Sequence, residues 1–352
     1  MMGGQTNLFV ATTHLLPERH PQKELFICDV ADAVLKDIMP QMEHPFYSLS
    51  KKPDTQIRRY EHNGNWLEIT PSVKGLATIY DKDILIYCIS QIIAKLKRGE
   101  RISSRVQINC HELLVFTNRG TGGKDYKALC ESLDRLAGTR IVTNIQTGGE
   151  EERSSFGLID ASTIRRKHGL DGRLVWCEIQ LSDWIFNAIR EKEVLTLHPD
   201  YFRLARPLEK RIYEIARKHC GQQASWSIDI ENLLKKSGSL SPLKRFKQRV
   251  KDLAKANHLP DYKVALERNL VVFLNRKADK AATPPPLSYQ EQAMLQLTNE
   301  TFQQARHILP DWDIYRLEQE WQDWWVQSGK PYLAYPDKAF LGFCTKRAKK
   351  AR

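Results

Sequence analysis

Residues 226–273 contain the helix that most constrains how this chain folds. Four apolar residues recur there at the spacing of one helix face: Leu243, Phe246, Val250 and Leu253. Ser241 and Pro242 mark the start of the helix, because a hydroxyl caps free N–H groups and proline suits the first helical position. The pattern therefore predicts an amphipathic helix over residues 242–256, with Ser241 as its cap.

The elements around this helix predict a winged helix-turn-helix. Upstream, apolar residues at helical spacing indicate a shorter helix that ends at a Ser/Gly-rich turn: Ile230, Leu233 and Leu234. Downstream, residues 262–266 and 270–275 are typical of two strands joined by a short turn. In this motif the second helix enters the major groove of DNA. The 242–256 helix therefore becomes the candidate recognition helix.

The solvent face of this helix is almost entirely positive. Seven polar residues lie opposite the apolar face or flank it: Lys244, Arg245, Lys247, Gln248, Arg249, Lys251 and Lys255. Asp252 is the lone acid among them. A charged face is usually only solvated, but such a face normally mixes signs to form i,i+4 pairs. The nearly uniform positive charge of this face therefore favours DNA recognition over a merely solvated surface.

The order of residues along the helix predicts their roles on DNA. Base contacts are expected near its start, from Lys244, Arg245 and Gln248. Arginine pairs well with guanine and glutamine with adenine at the base edges of the major groove. Phosphate contacts are expected from basic residues along the helix and in the following hairpin: Lys247, Arg249, Lys251, Lys255, Lys263 and Arg268.

The same order of elements is predicted a second time, upstream. This copy comprises a helix at 83–97, a strand at 105–108, helices at 109–116 and 125–137, a hairpin of strands 140–146 and 155–159 around a tip at 148–152, a strand at 173–180 and a helix at 182–190. The downstream copy begins with a helix at 207–219 and a strand at 226–228. Two copies of one plan predict two winged-helix domains in tandem, at 76–198 and 199–276.

The helix at 125–137 occupies the place of the recognition helix in the first copy. Its outer face carries both signs of charge: Lys127, Glu131, Asp134 and Arg135. A mixed face suits phosphate contacts poorly. We therefore expect the first domain to provide a protein interface or an auxiliary DNA contact.

The remaining residues are assigned to an arm, a linker and a module, which makes the predicted fold class α+β. Residues 1–75 are expected to form an N-terminal arm with a short helix within 24–42 and a hairpin of strands 56–60 and 66–70. Residues 277–288 are rich in proline and predict a linker.

Residues 289–352 are expected to form a small helical module with a basic tail. Its helices are predicted at 291–309, 313–328 and 337–350. Trp321, Trp324 and Trp325 are expected to form the core of this module, and the alternative is a platform on which single-stranded bases stack.

Composition favours a polyanionic partner and excludes a membrane protein. Lys and Arg number 54 against 42 Asp and Glu, which gives a net charge of +12. The seven cysteines are scattered without a C-x-x-C motif, which is typical of reduced thiols in a cytoplasmic protein. No signal peptide is expected, and the most apolar segment, 84–94, is too short to span a bilayer.

Motifs of enzymes are weak in this chain. Residues 120–124 hint at a phosphate-binding loop, but Asp125 follows Lys124 where that motif needs Ser or Thr. Four aspartates stand in pairs where helices are predicted to begin, so capping is expected rather than metal binding: Asp81, Asp83, Asp311 and Asp313.

No two histidines are separated by a single residue, as a metal-dependent nicking nuclease requires, and Tyr201 and Tyr213 fit a core. We therefore expect no catalytic residue, no metal, no cofactor and no enzymatic activity.

Four blocks of the sequence resemble the plasmid replication initiator protein A family. They are MEHPFYSL at 42–49, RYE at 59–61, ITP at 69–71 and GLATIYDKDILIY at 75–87. The blocks occur in the family's order, and the resemblance runs from about residue 24 to residue 275.

The resemblance implies a DNA-binding initiator that recognises repeats (iterons) in a plasmid origin. It implies double-stranded origin DNA and a host replication initiator or helicase as partners. It also implies a division of labour, in which the second domain reads sequence and the first supports dimerisation or a second DNA contact. A homodimer in equilibrium with monomer is expected. A transcriptional autorepressor without initiator activity is the alternative function.

Overall fold

The computed structural model of the protein describes residues 15–20, 34–62, 64–145, 147, 154–166, 174–278, 295–309, 312–327, 333 and 335–351. The predicted 148–152 tip, Asp311 and nearly all of the predicted 277–288 linker lie outside these residues. All six cysteines in the described part of the chain are free thiols, and five of them are buried.

The chain begins with a short strand, a helical turn and a hairpin. These are β1 (Lys36–Ile38), α1 (Met39–Glu43), β2 (Arg58–His62) and β3 (Asn65–Thr70). The predicted hairpin is present, with its strands shifted by up to two residues, and Gly64 takes a positive φ of 77° in its turn. The short helix predicted within 24–42 is present as α1, at the end of that range and directly after β1.

The first winged helix follows. Its elements are α2 (Lys82–Lys97), β4 (Arg105–Asn109), α3 (Cys110–Phe116), α4 (Gly123–Gly138), β5 (Arg140–Thr143), β6 (Ser154–Gly157), β7 (Ile159–Arg166), β8 (Leu174–Leu181) and α5 (Asp183–Arg190). Asn109 caps α3 as its position indicates, because its Oδ1 accepts from the His111 backbone N–H at 2.9 Å. Strands β4, β8 and β7 form an antiparallel sheet in that order.

The second winged helix repeats this plan without the β5–β6 insertion. After β9 (Val194–Thr196) and a 3-10 helix (Pro199–Arg203) come α6 (Pro207–His219), β10 (Ser225–Asp229), α7 (Ile230–Ser237), α8 (Leu243–Ala256), β11 (Tyr262–Glu267) and β12 (Leu270–Asn275). Its sheet order is β10-β12-β11, which matches β4-β8-β7 strand for strand. The prediction of two tandem winged helices is confirmed.

The predicted hairpin of strands 140–146 and 155–159 is present, but it is not the wing of the first winged helix. Strands β5 and β6 pair as expected, with Ile141 opposite Phe156, but they join β2 and β3 in a separate sheet of order β2-β3-β5-β6. The predicted 155–159 strand breaks near Gly157, where a Cβ would lie 2.8 Å from the Ile159 carbonyl oxygen. The chain then enters β7, which was not predicted and forms the wing with β8.

Two predicted helix starts also differ from the structure. Helix α8 begins at Leu243, so Pro242 precedes it, and the Ser241 hydroxyl accepts from Arg249 Nη1 at 3.2 Å instead of capping. At α2, the side chain of Asp81 forms no cap; it accepts from Arg135 Nε and Nη2, both at 2.7 Å. The predicted capping role of Asp83 is wrong as well, because its carboxylate binds Lys210.

The described residues after 294 form three helices of a C-terminal module: α9 (Asn299–Ile308), α10 (Ile314–Gln327) and α11 (Pro336–Ala351). Helix α9 starts later than predicted because Thr298 caps it through a hydroxyl that accepts from the Thr301 N–H at 3.4 Å. The predicted cap at Asp313 is present, and its Oδ1 accepts from the Arg316 N–H at 3.2 Å. Trp321 and Trp325 are buried in the core as expected, while Trp324 is 49% exposed.

The module contacts both winged helices through polar side chains. Arg306 lies 3.3 Å from Glu193, and Lys218 Nζ lies 3.9 Å from the centre of the Tyr315 ring. Arg316 donates to Gln222 Oε1 at 3.2 Å. Every helix in the described part of the chain is too short or too polar to cross a bilayer.

Candidate nucleic-acid interface

Helix α8 is held by one buried face. Phe246 and Val250 are fully buried, and Leu253 is 3% exposed, in a core shared with α6, α7 and the β10-β12-β11 sheet. Burial of these three side chains orients the helix, so its other residues face solvent. The predicted apolar face is therefore confirmed for these three residues, whereas Leu243, predicted on the same face, is 36% exposed.

The structure leaves nearly all of the predicted DNA-contacting side chains accessible. Eight are exposed: Lys244, Arg245, Gln248, Arg249, Lys251, Lys255, Lys263 and Arg268. Lys247 is half-buried, and its Nζ donates to Asn269 Oδ1 at 2.7 Å. Because Asn269 lies in the β11–β12 turn, this bond ties the helix to its wing. Arg268, at the tip of that turn, takes a φ of +56°.

Two hydrogen bonds pre-position polar side chains on α8. Gln248 Nε2 donates to Asp252 Oδ1 at 2.8 Å, one helical turn away. That bond leaves the Gln248 carbonyl oxygen and the second amide hydrogen available to an adenine edge. Arg249 Nη1 donates to the Ser241 hydroxyl at 3.2 Å, so this side chain is directed toward the start of the helix.

Helix α4 occupies the same place in the first winged helix but presents a different surface. Its buried Leu129, Leu133 and Leu136 match the buried residues of α8 one for one. In that register Ala128, Glu131 and Asp134 stand where α8 has Arg245, Gln248 and Lys251. Asp134 is paired with Lys74, and Arg135 with Asp81. Two charged residues of α4, Asp134 and Arg135, are thus paired with residues elsewhere in the chain, and the face as a whole carries both signs of charge.

A buried ionic cluster, missed in the sequence, joins the two winged helices. Lys82 Nζ on α2 lies 2.6 Å from Asp37 Oδ2 and 3.0 Å from Glu214 Oε1 on α6. Lys210, also on α6, binds both oxygens of Asp83 at 2.7 and 2.9 Å. All five side chains are at most 5% exposed.

Burial raises the pKa of Asp37 to about 6, although Lys82 opposes the shift; Glu214 adds to it. The only signal in the sequence was the run of charged residues within otherwise apolar helices.

The protein is a tandem winged-helix protein. It has two winged helices in succession, and the second carries a basic helix in the recognition position. The model of the family Replication initiator protein A matches residues 36–264. The chain belongs to this family of replication initiators, as the blocks at 42–87 indicated. The described residues include no group of three His, Cys, Asp or Glu side chains arranged to hold a metal ion.

One relative and two solved structures are similar to this chain. A putative replication protein of Wigglesworthia glossinidia brevipalpis is 38% identical over 259 residues, which cover 72% of this chain and 94% of that protein. The crystal structure of domains 2 and 3 of RctB is similar in fold, with a TM-score of 0.50 and 12% identity over 68% of this chain and 99% of that one. The Pi initiator protein, crystallised with iteron DNA, has a TM-score of 0.41 and 14% identity over 57% of this chain and 92% of its own.

Proposed function

We propose that this initiator binds repeated sites in double-stranded plasmid origin DNA, with α8 in the major groove and the β11–β12 wing on the flanking backbone. The observation that carries the proposal is the contrast between α8 and α4. Two helices with the same buried register differ at the outward positions, and only α8 presents an uncompensated row of basic side chains. If these outward residues served only folding, the two helices would be expected to carry similar charges there.

The residues near the start of α8 read the sequence in this proposal. Arg245 is exposed and suits guanine, while Gln248 is held toward solvent and suits adenine. Lys244 adds a third base contact. The phosphate contacts come from the remaining basic residues of the helix and wing: Lys247, Arg249, Lys251, Lys255, Lys263 and Arg268.

The first winged helix serves dimerisation or an auxiliary DNA contact, and a homodimer exchanges with monomer. The bound protein recruits a host initiator or helicase. Its role is not enzymatic, so the free energy for opening the duplex comes from several binding events. A metal-dependent cleavage and priming assay on origin DNA tests this part, and product in either reaction contradicts it.

Substitution of the base-reading residues tests the assignment of α8. Arg245→Ala and Gln248→Ala should each relax the sequence preference at one position, with a loss of about 1–3 kcal/mol of discrimination there. Selection of binding sites from a randomised DNA pool measures the preference. Lys127→Ala, on the exposed face of α4, is the matched control and should leave the selected site unchanged. An unaltered preference in both α8 variants contradicts the assignment.

A replication assay distinguishes an initiator from a repressor. The assay uses a plasmid that carries only the origin, and the protein is supplied in trans. Replication of that plasmid supports the initiator. If the protein binds the origin yet the plasmid fails to replicate, repression is the function that remains.

A further inference from the structure

The end of helix α7 is tied to α1, which lies outside the second winged helix, in part through Arg211 of α6. Arg211, which is 3% exposed, donates from Nη2 to the Lys236 carbonyl oxygen at 3.0 Å and to the Glu43 carbonyl oxygen at 2.9 Å. Its Nη1 donates to the carbonyl oxygens of Gln41 and Met42 at 3.1 and 2.8 Å. One guanidinium therefore joins the carbonyl ends of α1 and α7, where its charge also suits the helix dipoles.

The Glu43 side chain makes a second connection to α7. Its carboxylate pairs with Lys236, which belongs to α7, and with Lys218, which belongs to α6. The Nε2 atom of His219 lies 2.8 Å from the same carboxylate. The Lys236 side chain is 12% exposed, so solvent screens this pair less than a surface ion pair.

A third contact falls on the turn between α7 and α8. Gly238 ends α7 with a φ of +69°, and a Cβ at this residue would lie 2.5 Å from Pro45 Cβ. The hydroxyl of Tyr60, on strand β2, donates to the Gly238 carbonyl oxygen at 3.4 Å. The direction in which α8 leaves this turn is therefore limited by Pro45 and by the β2-β3-β5-β6 sheet.

Residues 41–46 are anchored in both halves of the molecule. Met42 is fully buried in the core of the second winged helix, whereas Phe46, four residues later, is 1% exposed in the core of the first. Strand β1, just before them, pairs with β9 between the two winged helices, with Ile38 opposite Val194. This segment cannot move with one winged helix without displacing side chains from the core of the other.

We propose that residues 41–46 form a brace that fixes the direction of α8 relative to the first winged helix, with Glu43 and Arg211 as positioning residues for DNA recognition. Neither side chain faces the exposed surface of α8. The consequence for DNA, which rests on the proposed function, is a fixed spacing between the bases read by α8 and the contacts made by the rest of the initiator.

Lys236→Met tests the brace most directly. The variant keeps the aliphatic stem but removes the pair with Glu43, and it leaves Lys218 and His219 on that carboxylate. Glu43→Gln is the second variant, with nearly the same shape and no charge. Lys235→Met is the matched control, because Lys235 is the exposed neighbour on α7. Circular dichroism and thermal unfolding identify any variant that fails to fold.

The first readout needs no DNA. Spin labels at positions 127 and 244, placed with an unnatural amino acid because the chain has seven cysteines, report the α4–α8 distance. Wild type and Lys235→Met should give one narrow distribution of distances. Folded Lys236→Met and Glu43→Gln should give a broader or shifted one, and distributions that match wild type in both variants overturn the brace.

The second readout uses origin DNA. Both brace variants should keep the base preference at the positions read by Arg245 and Gln248, because α8 itself is unchanged. They should bind the natural site about tenfold more weakly and tolerate one inserted base pair between adjacent contacts better than wild type. If wild type does not bind origin DNA, the proposed function fails while the distance measurement still decides the brace.

Discussion

Gly238 illustrates how one residue can be required by two independent constraints. Its left-handed φ costs about 1–2 kcal/mol for a residue with a side chain, and Pro45 leaves no space for a Cβ. Gly99 shares only the first constraint, because its φ is +73° and no atom lies within 4 Å of the position of a Cβ. Comparing alanine substitutions at the two glycines therefore distinguishes the free-energy cost of backbone strain from that of a steric clash.

We expect Gly99→Ala to lower the free energy of unfolding by about 1–2 kcal/mol. Gly238→Ala should lower it by about 1–3 kcal/mol more, because Pro45 must move to admit the methyl group. Urea unfolding of both variants beside wild type measures the difference. Equal effects in the two variants would show that the α7–α8 turn is not pressed against Pro45.

The roles of single charged residues were the part of the structure least accessible to sequence reasoning. Asp81 and Asp83 lie at the start of α2, where capping is the usual role. Instead, the Asp81 carboxylate accepts from Arg135, and the Asp83 carboxylate accepts from Lys210. Lys210 comes from the other winged helix, 127 residues away. Helical periodicity orients a side chain within its own helix but carries no information on which helix packs over it.

At the scale of elements, α8 was predictable because local signals agreed with one another. Its apolar face, its position after a turn and its one-sided charge all follow from residues within about 15 positions. The sheet that the β5–β6 hairpin joins was not predictable locally, because its pairing depends on the distant strand β3, whose Ile69 lies opposite Ile141. Strand β7 was missed because the apolar alternation begun by Ile159 and Ala161 stops at Thr163, and Ile164 falls out of phase with it.

The contrast between α4 and α8 predicts how each helix contributes to the salt dependence of DNA binding. Removal of one phosphate-binding side chain should reduce the slope of log K against log salt concentration by about 0.9. Lys251→Ala and Lys255→Ala should each show that reduction and weaken binding to all DNA sequences alike. Lys127→Ala on α4 should leave the slope unchanged.

Fluorescence anisotropy with origin DNA over a series of salt concentrations measures these slopes. If wild-type affinity does not depend on salt, phosphate contacts do not dominate the interface. An equal reduction for Lys127→Ala would instead place α4 on the DNA backbone beside α8.

Both polar and apolar contacts join the two winged helices: Ile86 of α2 is buried in the core of the second winged helix, and the rings of Phe116 and Phe202 lie 5.6 Å apart. Three apolar clusters are centred on the two winged helices and the C-terminal module, and Leu49 and Phe116 pack against the first two of them. The ionic cluster around Lys82 and the brace join the winged helices, and Lys218 connects the second winged helix to both Glu43 and Tyr315. The C-terminal module lies outside the 36–264 match to the family, so its arrangement is additional to the family's shared part.

Docking of the C-terminal module should depend on pH through Glu318 of α10. Burial raises the pKa of Glu318 to about 7, opposed by Lys218 and Lys236 and reinforced by the Glu43 carboxylate. Its ordinary pKa is 4.5, so the folded chain holds a proton that the unfolded chain releases between about pH 4.5 and 7. The protonated Glu318 side chain is compatible with the folded state, so its contribution to the free energy of unfolding is complete below pH 4.5. That contribution is lost as the pH rises through about 7, where the buried carboxyl ionises.

Glu318→Gln mimics the protonated side chain and isolates this effect from every other titrating group. We expect the variant and wild type to unfold at similar temperatures at pH 4.5, and the variant to be the more stable of the two at pH 8. Calorimetric unfolding of both proteins at the two pH values gives the comparison. A difference between the proteins that stays constant with pH would show that the Glu318 carboxyl is as well solvated in the folded chain as in the unfolded one.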